Sequence, residues 1–337
     1  MLEKSPPLDP VDRRIAAALL VHPRATWGQI AQAVDMPEST VARRGQRLVS
    51  SPAVKVLGTL DVIASGRGTP VLLRVACAPG RSPEVARTLA RRPEVWVVHL
   101  LSGTVDCMTE MVVGSTDHLA DLVLGDLARM PGVLSTSSHV VIRRFATAHG
   151  WDTGLLPAES VAGLRDARSD LWSHAQPPPP TTTPLSDVDE AILAALQADG
   201  RMRWVDVAAR AGVMERTARR RADELMRRGL LRLRAVVDPA VLGLSVRALL
   251  WIRVDPAHLT AVGGALADHH AVLLLSATTG EFNLCGEIAV ASHRELYDFL
   301  TTVLGAQPGV RDIDVTLELR TVKRAGEIAP GAGQEPA

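Results

Sequence analysis

Two short segments of this 337-residue chain carry arginine and hydroxyl side chains at helical spacing. In the first segment Ser39, Arg43 and Arg47 fall at i, i+4 and i+8, so they share one face of a helix. Guanidinium groups pair with phosphate oxygens and with the acceptor edge of guanine, and hydroxyls bond to either. We therefore expect both segments to contact a nucleic acid. The residues assigned to this contact are Ser39, Thr40, Arg43, Arg44, Arg47, Arg216, Thr217, Arg220 and Arg221.

The formal net charge of zero conceals a local excess of positive charge at these segments. Residues 38–57 carry about +3 and residues 215–234 about +5, whereas residues 243–319 carry about −5. Positive charge concentrated on short stretches of a neutral chain is typical of a surface that binds a polyanion. A solvated helix face balanced by neighbouring acids has the same composition, so charge alone leaves both interpretations open.

The two segments belong to one repeat that covers most of the chain. Trp27 recurs as Trp204 and Gly103 as Gly280, at a constant offset of 177 residues. The repeated unit is about 140 residues long, whereas solenoid repeats run at roughly 20 to 50 residues. The period therefore predicts a duplicated pair of domains.

Each repeat begins with three predicted helices. Asp35 and its counterpart Gly212 stand between the second and third helices, and both residue types tolerate the positive φ of a tight turn. The third helix of the first repeat turns Val41, Gly45 and Leu48 inward and its arginines outward. This arrangement predicts a helix-turn-helix, in which one helix braces on the DNA backbone while the next enters the major groove. The alternative is a three-helix bundle whose arginines only solubilise it.

The remainder of each repeat changes to a β-rich pattern. The order β-α-β-β-α-β predicts an antiparallel sheet with two helices on one face. The predicted fold class is α+β, with a winged or three-helix helix-turn-helix domain and a ferredoxin-like domain in each repeat. The predicted strands and helices are 71–77, 83–91, 95–101, 108–113, 117–130 and 140–144, then 245–254, 257–268, 271–278, 283–290, 292–306 and 312–322.

These patterns give a prediction of the domain boundaries. Residues 1–60 and 185–238 are the helix-turn-helix domains, 61–145 and 239–324 are the α+β domains, and 325–337 are a disordered tail. Residues 146–184 are a linker that ends in a stiff proline-rich spacer, after one amphipathic helix near 157–172.

Composition and motifs exclude several classes of protein. Cys77, Cys107 and Cys285 are odd in number and lack CxxC spacing, which argues against a disulfide framework and a zinc site. No segment resembles a signal peptide or a membrane span, so a soluble cytoplasmic protein is expected. Dinucleotide, triphosphate, zinc-protease and serine-hydrolase motifs are missing. We therefore expect no catalytic residues, no cofactor and no metal.

The opening and recognition segments resemble those of the Lrp/AsnC family of transcription regulators. Residues 8–15 (LDPVDRRI) and 185–192 (LSDVDEAI) are similar to the family's first helix, and residues 40–44 (TVARR) and 217–221 (TARRR) to its recognition helix. The resemblance covers both repeats. It implies that each β-α-β-β-α-β unit senses an effector and oligomerises, with sheets paired back to back and amino acids or related molecules bound between subunits.

The resemblance also implies a ligand loop in each repeat. The family places a glycine between the second and third strands and an acid three residues later, which matches Gly103 and Asp106, whereas the second loop has Asn283 at the acid position. A carboxylate would hold an α-ammonium group more strongly than an amide would. Alternatively, the two glycines only turn β-hairpins. The assigned effector-binding residues are Gly103, Thr104, Val105, Asp106, Gly280, Glu281, Phe282 and Asn283.

The predicted function is that of a sequence-specific DNA-binding transcription regulator, modulated by an amino acid or similar effector. Its predicted partners are double-stranded DNA, the effector and further copies of itself in a homodimer or higher oligomer, with no membrane. Siroheme decarboxylases, an alternative, resemble the same architecture, with sites enriched in His, Arg and Tyr. Residues 95–107 offer only His99 for such a site, and Tyr297 is the chain's single tyrosine. A third interpretation is an architectural protein that compacts DNA without sequence preference.

Overall fold

The computed structural model describes residues 8–167, 184–324 and 327–328. Its first repeat contains the three predicted helices and then the β-α-β-β-α-β unit. The elements are α1 (Pro10–Val21), α2 (Trp27–Val34), α3 (Glu38–Val49), β1 (Val54–Leu60), β2 (Thr69–Cys77), α4 (Ser82–Ala90), β3 (Val95–Leu101), β4 (Cys107–Val113), α5 (Thr116–Ala120) continued by a π-helical segment (Asp121–Leu127), β5 (Val133–Ala146) and α6 (Ala158–Asp166).

The second repeat has the same order, which confirms the duplicated α+β fold. Its elements are α7 (Asp187–Ala198), α8 (Trp204–Ala211), α9 (Glu215–Arg227), β6 (Leu231–Val237), a 3-10 turn (Pro239–Leu242), β7 (Val246–Val254), α10 (Leu259–Ala267), β8 (Val272–Thr278), β9 (Leu284–Val290), α11 (His293–Asp298) continued by a π-helical segment (Phe299–Leu304), β10 (Val310–Arg324) and β11 (Glu327–Ile328).

Local sequence signals explain how the helices of the two helix-turn-helix domains, here called heads, begin and end. Thr26 and Gln29 form a capping box at the start of α2, which satisfies backbone N–H groups that the helix leaves unpaired. Asp35 has φ 50° at the end of α2 and Gly212 has φ 65° at the end of α8. The tight turn predicted from these two residues is therefore present in both repeats.

The helix-turn-helix heads of the two repeats are joined by a feature that periodicity did not predict. Strands β1 and β6 pair antiparallel from Val54 with Val237 to Leu60 with Leu231, forming a two-stranded ribbon. Arg24 donates to the carbonyl oxygens of Gly200 (2.8 Å) and Met202 (3.0 Å). Both heads are therefore held together within one chain.

The β-rich units of the two repeats share one sheet. The strand order is β3-β4-β2-β5-β8-β9-β7, and β10 pairs with both β7 and β3, so eight strands close into a ring. Strand β5 pairs with β2 through residues 133–140 and with β8 through residues 141–146. Within this chain the two β-rich units are joined edge to edge, through β5 with β8 and through β10 with β3, and the back-to-back pairing of sheets between subunits stays a prediction. The interior of the ring is a buried cluster of Leu72, Leu101, Met108, Val141, Leu249, Trp251 and Cys285.

Two predicted strands are shorter than the observed ones for a common reason. The strands predicted at 140–144 and 312–322 extend over 133–146 and 310–324, because each continues from its own repeat onto the other. Of the predicted helix near 157–172, residues 158–166 are helical, and residues 168–172 and the proline spacer lie outside the described residues. Within the predicted tail, residues 327–328 pair with β10. The remaining domain boundaries stay predictions.

The three cysteines, Cys77, Cys107 and Cys285, are buried and free. Among the described residues, no helix combines the length and apolar character that crossing a membrane requires.

Candidate functional site

The third helix of each head presents its arginines to solvent. Arg43 on α3 and Arg216 and Arg220 on α9 are exposed, and no described acid forms an ion pair with any of them. The predicted inward positions are buried: Val41, Gly45 and Leu48 on α3, and Ala218, Ala222 and Leu225 on α9. Ser39 is exposed and Thr40 and Thr217 are half-buried beside the arginines.

The second arginine of each pair has a different environment from the first. Arg44 donates to Asp12 at 2.9 Å, and Arg221 donates to Asp189 at 3.1 Å, so each attaches the third helix of its head to the first. Arg47 also pairs with Asp12. Hydrogen bonding to Asp12 and Asp9 raises the pKa of Arg44. These three arginines already have carboxylate partners, and their assignment to DNA stays a prediction.

The two predicted effector loops are bonded to the strands beside them. The Asp106 carboxylate accepts from the backbone N–H of Cys77 at 2.7 Å. At the equivalent place Asn283 accepts from the N–H of Val254 at 2.9 Å and donates to the Val254 carbonyl at 2.8 Å. Because the amide both accepts and donates, it makes one bond that a carboxylate at this position would lose. The difference between the loops therefore has a structural cause.

The other residues of these loops divide into exposed and packed positions. Gly103 and Gly280 have φ of 113° and 103°, which favours glycine. Val105 and Phe282 pack on the cluster inside the sheet ring. Thr104 and Glu281 are exposed. The assignment of these loops to an effector stays a prediction.

A cavity of about 420 Å³ lies between the β1–β6 ribbon and the sheet ring. Its walls come from both repeats and include apolar side chains such as Trp96, Ile142, Leu273 and Leu274. Its charged lining is dominated by six arginines, with two histidines and three acids. These residues are Arg143, Arg144, Arg232, Arg234, Arg247, Arg324, His99, His149, Asp61, Glu110 and Glu287.

Three of the six arginines have carboxylate partners in the lining. Arg144 pairs with Glu110, Arg247 pairs with Glu287, and Arg232 lies 3.2 Å from Asp61. These pairs account for all three acids of the lining, so the cavity retains an excess of positive charge.

Arg234 and Arg324 lie close enough to repel each other. Burial, with repulsion from Arg324, lowers the pKa of Arg234 to about 10. Burial and repulsion from Arg247 lower the pKa of Arg324 as well. Arg324 donates to the Thr321 hydroxyl at 3.1 Å, and no described carboxylate forms an ion pair with Arg234 or Arg324.

Two lining residues, His99 and Glu287, and the neighbouring Glu318 place one potential metal-ligand atom each within 4.8 Å of one another. The His99 Nδ1 atom lies 3.1 Å from a Glu318 oxygen. Arg247 pairs with both carboxylates, so a cation would have to compete with its guanidinium. Burial raises the pKa of Glu318, but His99 and Arg247 outweigh burial and hold that pKa below its usual range. We interpret this group as a buried ionic network.

Sequence reasoning missed the cavity because its arginines lie on different elements. Residues 95–107 offered only His99, and the six arginines come from β5, β6, β7 and β10. One signal was present in the sequence: Arg232 and Arg234 alternate with leucines on a strand that the pattern did not identify. That alternation places both guanidinium groups on one face of the strand.

The fold defines a duplicated protein with a helix-turn-helix and a β-α-β-β-α-β unit in each half. The family model of the AsnC-type helix-turn-helix domain matches residues 8–49 and 185–226, and that of the Lrp/AsnC ligand binding domain matches residues 71–150 and 247–328. The chain belongs to the Lrp/AsnC family.

Curated relatives correspond to one repeat each. An uncharacterised HTH-type transcriptional regulator of Pyrococcus furiosus is 32% identical over 143 residues, which are 42% of this chain and 96% of the relative. The HTH-type transcriptional regulator FL11 of Pyrococcus horikoshii is 28% identical over 146 residues, 43% of this chain and 96% of the relative. The relatives' names support a role in transcription regulation.

A solved structure matches both repeats together. The siroheme decarboxylase NirDL, crystallised with an iron-uroporphyrin III analogue, covers 93% of this chain and 93% of its own, with 15% identity and a TM-score of 0.59. This likeness shows a shared fold. The prediction that this chain is not an enzyme is wrong in excluding catalysis. An enzyme, NirDL, has the same two-repeat architecture.

Proposed function

We propose that this chain is a sequence-specific DNA-binding transcription regulator whose two recognition helices, α3 and α9, bind one DNA duplex. The proposal is carried by one observation: Arg43 and Arg220 occupy equivalent positions and are exposed without an acidic partner in the described chain. Arg44 and Arg221 pair with Asp12 and Asp189, and these ion pairs attach each recognition helix to the first helix of its head. Exposed guanidinium groups on a braced helix can reach base edges and phosphates.

One chain supplies both heads, so it can bind two half-sites on its own. Helix-turn-helix dimers read half-sites about one helical turn apart, roughly 34 to 36 Å. The half-sites should differ, because Arg47 of α3 has Glu224 as its counterpart on α9. We also propose that chains associate into homodimers or higher oligomers and respond to a small effector.

The test measures binding of the full chain to duplexes selected from a random pool, by fluorescence anisotropy across a salt series. We expect the logarithm of affinity to fall linearly with the logarithm of salt concentration, with a slope near −0.9 for each phosphate neutralised. Arg43→Ala and Arg220→Ala should each weaken binding about tenfold, the effect of losing about 1.4 kcal/mol.

The matched control is Arg294→Ala, since the Arg294 side chain is 90% exposed and lies on α11, in the β-α-β-β-α-β unit of the second repeat. Its affinity for the selected duplex should equal that of the unchanged protein. An affinity that does not change with salt concentration would contradict the proposed interface. So would an affinity that Arg43→Ala and Arg220→Ala leave unchanged. Equal affinity for every duplex would instead favour DNA compaction without sequence preference.

The second candidate is siroheme decarboxylation, and one observation favours it: the likeness to NirDL extends along both repeats. The measurement is loss of mass, as carbon dioxide, from siroheme incubated with the full chain. A decrease in siroheme mass that depends on the protein would support this candidate over the regulator.

A further inference from the structure

The cavity beneath the β1–β6 ribbon lies on the approximate twofold axis that relates the repeats. Its lining contains both members of equivalent pairs, including Trp96 with Leu273 and Glu110 with Glu287, each separated by 177 residues. A cavity that both halves line at equivalent positions occurs once per chain. A ligand bound there would therefore bind once per chain, whereas the predicted effector loops occur twice.

The positive charge of this axial cavity is contributed unequally by the repeats. Arg234 has Leu57 as its counterpart, and Arg324 has Thr147. Had each half supplied the same residues, every arginine near the axis would face its own copy. Because the first repeat has neutral residues at both equivalent positions, Arg234 and Arg324 have no charged copies in that repeat.

Neither Arg234 nor Arg324 forms an ion pair with a carboxylate of the described residues. A charged group taken out of water is costly unless a counter-charge and hydrogen bonds replace its hydration. Arg234 has no described carboxylate partner, and its Nε atom is buried without a hydrogen bond. Arg324 bonds only to a hydroxyl and to a carbonyl oxygen among the described residues. Both arginines are among the residues that line the cavity.

We propose that the axial cavity binds one organic polycarboxylate per chain, with Arg234 and Arg324 as ligands of its carboxylates. The guanidinium fork matches a carboxylate with two parallel hydrogen bonds. Trp96, Ile142 and Leu273 form an apolar wall, which an inorganic anion would leave uncovered and the carbon body of an organic acid would cover.

The position of the cavity connects this ligand to the DNA-binding heads. Thr59 and Leu60 of β1 and residues 234–237 of β6 line it, and these strands lead directly from the heads. A ligand that binds one arrangement of the ribbon more tightly than another shifts the equilibrium between the two arrangements by that difference in affinity. The heads, which continue into the ribbon, change their relative positions with it. This regulatory step rests on the proposed DNA-binding function, whereas ligand binding itself does not.

The binding test is calorimetric titration of the full chain with benzenetricarboxylate, uroporphyrin III and citrate in separate arms. We expect saturable one-to-one binding of at least one of the two aromatic acids, and weaker binding of citrate, which has no apolar body. Arg234→Leu and Arg324→Thr, which install the residue of the other repeat, should each weaken binding at least tenfold. Arg294→Ala should bind as the unchanged protein does.

Three results would overturn the proposal: none of the acids binds, citrate binds as tightly as the aromatic acids, or both substitutions leave affinity unchanged. A thermal melt without ligand separates a ligand-binding arginine from a structural one. Removing a charge that repels Arg324 should raise the melting temperature of Arg234→Leu by about 1–2 °C in a chain of 337 residues. A lower melting temperature together with lost binding would indicate a structural arginine and refute the assignment.

The regulatory step has its own readout. A saturating concentration of benzenetricarboxylate or uroporphyrin III, whichever binds in the titration, should change the affinity of the unchanged protein for its selected duplex at least fivefold. Arg234→Leu should abolish this change while still binding DNA. Ligand binding without any effect on DNA affinity would refute the coupling. Because the titration uses no DNA, failure of ligand binding and failure of DNA binding are distinguishable.

Discussion

The reciprocal contacts of Arg24 and Arg201 give a quantitative prediction about how the two heads are joined. Arg201 donates to the carbonyl oxygens of Pro23 (2.7 Å) and Ala25 (3.1 Å), and Arg24 makes the equivalent pair of bonds in the other direction. Each guanidinium also lies over the tryptophan of the opposite head, 4.5 Å from the Trp27 ring for Arg201 and 4.4 Å from the Trp204 ring for Arg24. We call these four residues the clasp.

The perturbation is Arg201→Met or Arg24→Met, which keeps the apolar stem and removes the donors. Hydrogen bonds from a charged donor contribute about 1.5–3 kcal/mol each, and each arginine makes two. A cation–π contact adds about 1–2 kcal/mol when it is partly desolvated. Burial opposes these gains, and it lowers the pKa of Arg201 to about 10, with repulsion from Arg24 as a second cause. We therefore expect each substitution to lower the free energy of unfolding by about 2–4 kcal/mol.

Urea unfolding followed by tryptophan fluorescence measures this loss, because Trp27 and Trp204 belong to the clasp. The double substitution should cost less than the two single costs together, since either one already loosens the contact between the heads. Arg203→Met is the control, because the Arg203 side chain is 78% exposed and pairs with Asp206 of the helix that follows it, within the same head. Midpoints equal to that of the unchanged protein, or strictly additive losses, would refute the clasp.

Two further predictions concern the sheet ring. Burial lowers the pKa of His139 below its ordinary 6.5, so below about pH 6.5 the unfolded chain binds more protons than the folded chain and stability falls with decreasing pH. His139→Gln should reduce this fall, measured as urea midpoints across that pH range. A pH profile equal to that of the unchanged protein would contradict the prediction. Asn283→Asp should lower stability by about 1–3 kcal/mol, because the Val254 carbonyl loses its donor and faces a carboxylate instead. An Asn283→Asp variant as stable as the unchanged protein in urea would remove the structural explanation of that loop.

Local pattern predicted the parts of the fold whose signal is local. The stripe of Val41, Gly45 and Leu48 is buried as predicted, and its period alone determines which face of the helix packs. Asp35 and Gly212 predicted the turn because a positive φ restricts the residue type. The offset of 177 residues predicted the duplication because both copies retain the same local signals.

The pairing between the repeats could not be predicted in the same way. Strands β1 and β6 are separated by more than 150 residues, and neither has a turn or alternation that identifies its partner. The cavity depends on this pairing, since Arg234 reaches Arg324 only after the ribbon is placed over the ring. The pairing of Arg44 with a carboxylate likewise could not be predicted, because Asp12 approaches it from another helix.

Symmetry between the repeats distinguishes the scaffold of this protein from the site proposed in its axial cavity. In a homodimer a residue near the twofold axis meets its own copy, so an arginine there brings a second arginine and its repulsion. Arg24 and Arg201 tolerate this arrangement because each donates to carbonyl oxygens of the opposite head, which are partners that both halves provide. Arg234 has no such partner among the described residues and no copy, since Leu57 takes the equivalent position. A contact that stabilises the pair of repeats can be symmetric. A site for one asymmetric ligand binds that ligand better when its two halves differ, and two repeats can differ because they are joined in one chain.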